Sequence, residues 1–222
     1  MDASTLAEAY VDARDLGKTY GAGPGSVIAL RSATCIVRPG DRIAIIGPSG
    51  SGKSTLLQIL GGLEEPTSGQ ISWPSLGARA SLRPAKIAFI FQNQSLLPAL
   101  TAVENVELPL LLCDSTREQA RQRALESLKR MELLELTVKL PESLSGGQAQ
   151  RVSAARAVAA EPALILADEP TGQLDRAGAD HLLDLVLGAI DANVAFVVAT
   201  HDRRVAARMN VVWRIDHGRL TV

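Results

Sequence analysis

Short, continuous runs of apolar residues recur along the chain, separated by longer stretches in which apolar residues follow helical spacing. The clearest runs cover residues 43–46, 87–91, 163–167 and 194–198. A run without polar alternation is typical of a strand that is buried on both faces of a parallel sheet. Because helical patterns lie between some of these runs, the sequence predicts an α/β fold built from βαβ units.

Two further regions have a different pattern. Near the start of the chain, three short β-like segments lie between glycine-rich turns, at 9–11, 27–30 and 35–37. Such segments predict the edge of an antiparallel sheet. Residues 95–160 show no convincing strand and are predicted to be mostly helical, with a capping box from Ser115 to Glu118 and an alanine-rich helix after Ser145. We therefore predict a helical lobe inserted into the α/β core.

Composition and charge narrow the class of protein. Of the 222 residues, 46% are hydrophobic and 21% are charged, which is typical of a globular chain and excludes a disordered one. The 23 Lys and Arg residues are balanced by 24 Asp and Glu residues, so no nucleic-acid partner is expected. Cys35 and Cys113 are far apart and lack metal-ligand spacing, which indicates small buried side chains of a reduced compartment.

The sequence predicts neither a membrane span nor a signal peptide. The longest apolar runs, such as 108–113 and 194–199, are far shorter than the roughly 20 residues that a span requires. Residues 1–5 have neither a positive start nor an apolar core. We therefore expect a soluble chain in the cytoplasm.

The strongest motif matches the P-loop pattern G-x-x-x-x-G-K-[ST] and lies between the first buried run and a helical pattern. Its residues are Gly47, Pro48, Ser49, Gly50, Ser51, Gly52, Lys53, Ser54 and Thr55. Glycines let backbone N–H groups surround a phosphate, and the helix N-terminus adds a favourable dipole. Lys53 is expected to reach the β- and γ-phosphates and Ser54 to ligate Mg²⁺. The motif alone indicates only a nucleoside triphosphate, which kinases, GTPases and motor proteins also bind.

A second motif ends the apolar run 163–167 with the carboxylates of Asp168 and Glu169. Open α/β sheets bind ligands at the carboxyl ends of their strands. Asp168 is predicted to hold Mg²⁺, and Glu169 to orient or deprotonate the attacking water. Taken alone, the pair could equally solvate a strand end, but the P-loop upstream favours the catalytic interpretation.

A third motif places Ser145, Gly146, Gly147 and Gln148 at the start of the alanine-rich helix. By itself this sequence is an ordinary helix N-cap with a flexible turn. With the P-loop before it and the two carboxylates after it, the motif resembles the signature of ATP-binding cassette (ABC) ATPases.

Smaller landmarks of the ABC family follow in the family's order. Tyr20 stands where the family stacks an aromatic ring on adenine, and Gln92 where it has the Q-loop glutamine that touches Mg²⁺ and faces the transmembrane partner. Leu174 and Asp175 resemble the D-loop, and His201 the switch histidine that contacts the γ-phosphate. Each residue has an ordinary structural interpretation when taken alone, so it is their order that carries the resemblance.

The resemblance extends from about residue 10 to 220 and implies one ABC ATPase domain over 1–222. The implied fold is a P-loop NTPase core with a mostly parallel sheet, an antiparallel β subdomain and an inserted helical lobe. Its RecA-like core would cover about 8–94 and 161–222, and its helical subdomain about 95–160.

The same resemblance implies a chemistry and a set of partners. The ligands would be ATP and Mg²⁺, with Lys53, Glu169 and His201 in catalysis and Ser54, Gln92 and Asp168 at the metal. Two copies would form a homodimer on binding ATP, each signature motif donating to the ATP of the other copy. A separate transmembrane permease subunit is implied, which would place the chain at the inner face of the cell membrane as a peripheral subunit.

Residues 61–69 and 100–109 resemble the branch that contains lipoprotein-releasing systems and macrolide exporters, so export or lipoprotein release is favoured over import. The chain departs from the family pattern in a short segment between 69 and 92, in Ala149 for the common glutamine and in Gln173 for the usual asparagine.

Two other functions stay open. One is an ATPase that performs mechanical or regulatory work on the envelope through a membrane protein, without transport. The other is a soluble ABC ATPase of DNA repair, but residues 92–144 contain neither the heptads nor the cysteine pairs of its insertions.

Overall fold

The computed structural model describes residues 8–113 and 115–222. The prediction that residues 1–5 form no signal peptide lies outside the described residues. Within them, every helix is too short or too polar to cross a membrane.

Strands and helices alternate along most of the chain. The strands are β1 (Val11–Tyr20), β2 (Val27–Leu30), β3 (Cys35–Val37), β4 (Arg42–Ile46), β5 (Ser68–Ser72), β6 (Ile87–Ile90), β7 (Leu164–Asp168), β8 (Ala195–Thr200), β9 (Val211–Asp216) and β10 (Arg219–Thr221). The helices are α1 (Lys53–Leu60), α2 (Ala102–Leu111), α3 (Arg117–Arg130), α4 (Gly146–Ala159), α5 (Arg176–Ala189) and α6 (Arg203–Ala207). The mixed α/β fold that the apolar runs predict is confirmed.

The chain divides into two compact units. The first contains the described residues up to Leu82 together with Asn193–Val222, and the second lies within Arg83–Ala192. This division reflects which residues pack together. The boundaries of a RecA-like core at 8–94 and 161–222 and of a helical subdomain at 95–160 stay a prediction.

The first unit contains a mainly parallel group of strands in the order β10-β9-β4-β8. Strand β4 pairs in parallel with both β8 and β9, whereas β10 runs antiparallel to β9. All six residues of β8 are buried, because α1 and α6 pack against this strand. Burial on both faces explains why β4 and β8 are continuous apolar runs in the sequence.

The antiparallel sheet of the first unit is built around β1, which pairs with β2, β3 and β5. Strand β5 overlaps the short segment between 69 and 92, in which the chain departs from the family pattern. Its residues are almost all exposed, so it carries no apolar alternation. Trp73, directly after β5, is buried and donates from Nε1 to the carbonyl oxygen of Leu60 at 2.7 Å. The short segment therefore anchors the C-terminal end of α1.

The second unit contains the parallel pair β6–β7 and the helices that follow each strand. Ile87 lies opposite Leu164 in this pair, and α2, α3 and α4 pack on one another. Ser127 of α3 donates from its hydroxyl to the carbonyl oxygen of Ala155 in α4 at 2.7 Å. Residues 95–160 are mostly helical, as the sequence predicts.

The predicted capping box of α3 is wrong by one residue. Thr116, not Ser115, is the N-cap, and its hydroxyl accepts from the backbone N–H of Gln119 at 3.3 Å. Gln119 Oε1 accepts in return from the N–H of Thr116 at 3.1 Å. Both positions fit the capping-box pattern. The structure selects the later one because the N–H of Ser115 is bonded to the carbonyl oxygen of Leu110, at the end of the preceding helix.

The two cysteines are predicted to differ in reactivity. The expectation that both cysteines are buried is wrong for Cys113, which is partly exposed. Burial raises the pKa of the Cys35 thiol to about 12, with a smaller contribution from the charge of Asp12. Since the thiolate is the reactive species, we expect iodoacetamide at pH 8 to modify Cys113 and leave Cys35 unmodified in the native protein. Mass spectrometry of native and urea-unfolded samples checks this, and equal labelling of both cysteines in the native state would contradict it.

Candidate active site

The loop between β4 and α1 is held by glycines at positions of close backbone approach. Gly52 has φ +105° and forms the N-cap of α1, and a Cβ atom there would lie 2.4 Å from the carbonyl oxygen of Ala29. A Cβ atom on Gly47 would lie 2.2 Å from the carbonyl oxygen of Ile215. Neither position can take a side chain, because the loop is packed between β2 and β9.

Two polar side chains are buried in this loop. The ammonium of Lys53 donates to the carbonyl oxygens of Gly47 at 2.9 Å and Pro48 at 3.0 Å. The hydroxyl of Ser51 is buried and has no hydrogen-bond partner within the described part of the chain. A cation, an unsatisfied hydroxyl and a helix N-terminus thus meet at one loop, which is the donor set that binds phosphate.

His201 and the P-loop follow two neighbouring strands that end at the same edge of the sheet. Ile46, the last residue of β4, lies opposite Thr200, the last residue of β8. The next residues along the two strands are Gly47 and His201, so the register places the start of the P-loop beside the predicted switch histidine. His201 is exposed at this edge.

The turn after His201 is fixed by Asp202. Its carboxylate accepts from the backbone N–H of Arg204 at 2.8 Å and from the Arg204 guanidinium at 3.2 Å and 2.7 Å. The Arg204 contacts lower the pKa of Asp202 from its ordinary value. Asp202 is also the N-cap of α6, so the helix holds the residue next to His201 in place.

Tyr20 lies at the end of β1 and is 37% exposed. It pairs across the sheet with Val27, which is 63% exposed, so the two side chains offer an apolar surface. Val27 stands two residues before Ala29, whose carbonyl oxygen meets Gly52. The ammonium of Lys18 lies 5.0 Å from the centroid of the Tyr20 ring, a cation–π distance. The hairpin thus joins the aromatic ring to the P-loop within the first unit.

The second unit brings Gln92 and Glu169 together. Asp168 is the last residue of β7, and Glu169 follows it with φ +45°, in the left-handed region. A non-glycine residue held there costs about 1–2 kcal/mol, and five other described non-glycine residues share this conformation. A Cβ atom on Gly172 would lie 3.4 Å from Nε2 of Gln92 and 3.7 Å from Cβ of Glu169. The turn that carries Glu169 therefore packs against the predicted Q-loop glutamine.

The predicted signature residues form the N-terminus of α4. Ser145 is the N-cap: its hydroxyl accepts from the N–H of Gln148 at 3.3 Å, and Gln148 Oε1 accepts from the N–H of Ser145 at 2.9 Å. Ser145 and Gly146 are exposed, whereas a Cβ atom on Gly147 would lie 3.7 Å from the Leu174 side chain. The motif thus presents an exposed helix N-terminus next to the predicted D-loop.

Asn105 is a structurally important residue that the motifs do not reveal. It is fully buried in α2, and its amide nitrogen donates to the carbonyl oxygens of Leu97, Leu100 and Thr101 at 3.2, 2.9 and 3.1 Å. Its Oδ1 accepts from the N–H of Leu97 at 2.8 Å. One side chain therefore forms hydrogen bonds with four backbone groups of the loop that precedes α2. The available signal was an asparagine among the apolar residues that α2 buries.

Several residues of the predicted site are polar groups suited to a hard cation. Ser54, Gln92 and Asp168 offer a hydroxyl, an amide and a carboxylate oxygen. No cluster of three or more His, Cys, Asp or Glu side chains that could hold a metal occurs among residues 8–113 and 115–222. This donor chemistry fits Mg²⁺, which proteins bind through one or two carboxylates together with substrate phosphates. The loop geometry and donor set define a P-loop nucleotide-binding protein.

Comparison with known proteins narrows this class. The sequence matches the ABC transporter family over residues 30–172. It is 42% identical to the lipoprotein-releasing system ATP-binding protein LolD of Pseudomonas syringae pv. tomato, over 96% of this chain and 97% of that protein. The fold matches the dimeric structure of MJ0796, a bacterial ABC transporter cassette, with a TM-score of 0.86 and 38% identity over 95% of this chain and 97% of that one. A post-hydrolysis structure of MJ0796 bound to ADP and Pi matches with the same values.

The chain therefore belongs to the ABC transporter family, and it is an ATPase cassette of that family. The resemblance found in the motifs is confirmed over almost the whole chain.

Gly52 and Gly50 form a matched pair for testing the loop geometry. Both have positive φ, but among the described residues nothing lies within 4 Å of a Cβ atom on Gly50. Gly50→Ala is expected to lower the free energy of unfolding by about 1 kcal/mol, and Gly52→Ala by about 3 kcal/mol, because only the second also meets the Ala29 carbonyl oxygen. Urea unfolding without nucleotide measures both losses, and equal losses would contradict the close approach.

Proposed function

We propose that the chain is the ATPase subunit of a lipoprotein-releasing type of ABC system, in which hydrolysis of ATP drives a separate transmembrane subunit. The identity of 42% to the LolD protein over nearly full length supports this assignment to a branch. In this proposal the chain works at the cytoplasmic face of the membrane as a peripheral subunit.

The observation that carries the catalytic part of the proposal is the buried Lys53 in a loop that admits no side chain at Gly47 or Gly52. We infer that Lys53 binds the β- and γ-phosphates, with the other residues of the loop donating through their backbone N–H groups. The Ser51 hydroxyl offers a further donor. Tyr20 and Val27 would supply the apolar surface for adenine.

The remaining catalytic roles follow the order of the family's motifs. Ser54, Asp168 and Gln92 would hold Mg²⁺, which when bound neutralises charge on the phosphates. Glu169 would orient the attacking water and accept its proton, and His201 would contact the γ-phosphate. The position of Glu169 directly after β7, in a turn that packs against Gln92, supports this role.

A second copy of the chain is proposed to complete the site on ATP binding. MJ0796, whose fold matches this chain, was solved as a dimer. The N-terminus of α4 is exposed at Ser145 and Gly146, and exposed helix N-termini bind anions through the N–H groups of their first turn. These residues would donate to the γ-phosphate held by the other copy, so that ATP joins the two chains and its hydrolysis releases them.

We propose that the membrane subunit contacts an apolar surface near the start of α2. Leu97 is 44% exposed, Val138 78% and Leu140 38%. Leu97 is bonded to Asn105, and the carbonyl oxygens of Thr137 and Lys139, on either side of Val138, accept from N–H groups of the first turn of α2. These apolar side chains thus lie near the N-terminal end of α2. All three come after Gln92 in the sequence. Exposed apolar clusters are typical of protein interfaces.

Replacement of Glu169 by Gln tests the catalytic proposal. The amide cannot accept a proton, so Glu169→Gln is expected to retain ATP binding but lower kcat by about 100-fold or more. Because the ATP that joins the copies would persist, the variant should elute as a dimer with ATP in size-exclusion chromatography. Glu126→Gln, at an exposed position of α3, is the control and should behave as the parent chain. A monomeric and fully active Glu169→Gln protein would refute the proposal.

Capture from detergent-solubilised membranes tests the partner. The tagged chain is expected to retain one integral membrane subunit, and the reconstituted complex should release a lipoprotein from proteoliposomes in an ATP-dependent manner. Val138→Asp should reduce the captured subunit several-fold, because a charge would be buried in the interface. Val222→Asp, at a residue that is 69% exposed, is the matched control. ATP hydrolysis with capture but without lipoprotein release would favour mechanical or regulatory work instead.

A further inference from the structure

Gln173 makes a pair of amide hydrogen bonds to the segment that follows Gln92. Its Nε2 donates to Oδ1 of Asn93 at 3.1 Å, and its Oε1 accepts from Nε2 of Gln94 at 3.2 Å. Both halves of the side-chain amide are therefore engaged with two consecutive residues. The partners are 79 and 80 positions away in sequence, so this contact joins two separate loops.

The same segment is held by α4, the helix that starts at the signature motif. Gln150 donates from Nε2 to the carbonyl oxygen of Phe91 at 3.1 Å. Arg156 donates to the carbonyl oxygen of Ser95 at 2.9 Å, to its hydroxyl at 2.8 Å and to the carbonyl oxygen of Gln94 at 3.4 Å. Residues 91–95 are thus tied to α4 by two side chains and to the loop after β7 by Gln173.

Gln173 lies close in sequence and space to the proposed catalytic carboxylate. It stands four residues after Glu169, and the N–H of Gly172 donates to the carbonyl oxygen of Glu169 at 3.0 Å. Gly172 also adjoins the amide of Gln92. A displacement of Asn93 and Gln94 would therefore pull on the turn whose backbone sets the position of Glu169. An asparagine at position 173 would be one methylene shorter and could not span the same distance to both partners.

We propose that Gln173 is a positioning residue that couples the segment after Gln92 to the catalytic turn, so that the rate of ATP hydrolysis depends on where Asn93 and Gln94 lie. The proposal rests on the catalytic role proposed for Glu169. It needs no membrane subunit, because all the contacts lie within one chain. Gln173 itself touches none of the reacting groups and acts through the turn.

A double-mutant cycle tests the coupling. Gln173→Ala, Gln173→Asn and Asn93→Ala are each expected to lower kcat of the isolated chain about three- to tenfold, with KM for ATP changed less than about twofold. The double variant Gln173→Ala/Asn93→Ala should be no slower than the slower single variant, because the two side chains act through one contact. Gln122→Ala, an exposed glutamine that bonds within α3 to Glu126, is the control and should leave kcat unchanged.

Hydrogen–deuterium exchange provides a readout that is independent of hydrolysis. Peptides covering 91–95 should exchange faster in Gln173→Ala than in the parent chain, while peptides of α3 should be unaffected. Unchanged kcat in Gln173→Ala would overturn the proposal, as would unchanged exchange of peptides 91–95 or single effects that multiply in the double variant. A chain that hydrolyses ATP and shows the coupling but releases no lipoprotein would contradict the proposed function alone.

Discussion

The parallel pairing of β4 with β8 is the constraint on which the phosphate-binding end of the chain depends. Because Ile46 lies opposite Thr200, both strands end at the same level, and the P-loop and His201 leave the sheet side by side. A shift of one residue in this register would turn the alternating side chains of β8 to the opposite face and separate the two elements. Burial of every residue of β8 makes such a shift costly. Packing of apolar side chains thus sets the position of polar ones.

In the second unit, a long irregular segment between β6 and α2 is held in place by side-chain hydrogen bonds and not by strand pairing. Buried or half-buried polar side chains do this by bonding to backbone carbonyl groups. Asn105 holds the loop from Leu97 to Thr101, and Gln150 and Arg156 hold the segment before it. Burial lowers the pKa of the Arg156 guanidinium, yet arginine is effectively always charged. An apolar substitute at any of these positions would remove the donors of partly buried carbonyl groups, which costs free energy.

The sequence allowed the buried parallel strands and the motif residues to be predicted, because both depend on local patterns. A continuous apolar run identifies β4, and fixed spacing identifies the P-loop. Strand β5 escaped prediction since it is exposed and its residues, Ser-Gly-Gln-Ile-Ser, show no alternation. The start of α3 was misplaced by one residue because two overlapping sequences both satisfy the capping-box pattern. The contacts of Asn105 and Gln173 could not be predicted, since their partners are set by how distant loops meet and not by any spacing along the chain.

The position of Lys53 has a consequence for turnover. The residue is 8% exposed and its ammonium is bonded to two carbonyl groups of its own loop, so the loop itself supplies acceptors for this charge. Binding of a phosphate would therefore exchange one set of acceptors for another and would not require the full desolvation of a lysine, which costs several kcal/mol. The exchange also runs in reverse: when the product leaves, the carbonyl groups of Gly47 and Pro48 are in place to take the ammonium back. The loop would thereby replace the phosphate as hydrogen-bond acceptor for Lys53, so that the ammonium keeps acceptors throughout each cycle of binding and release.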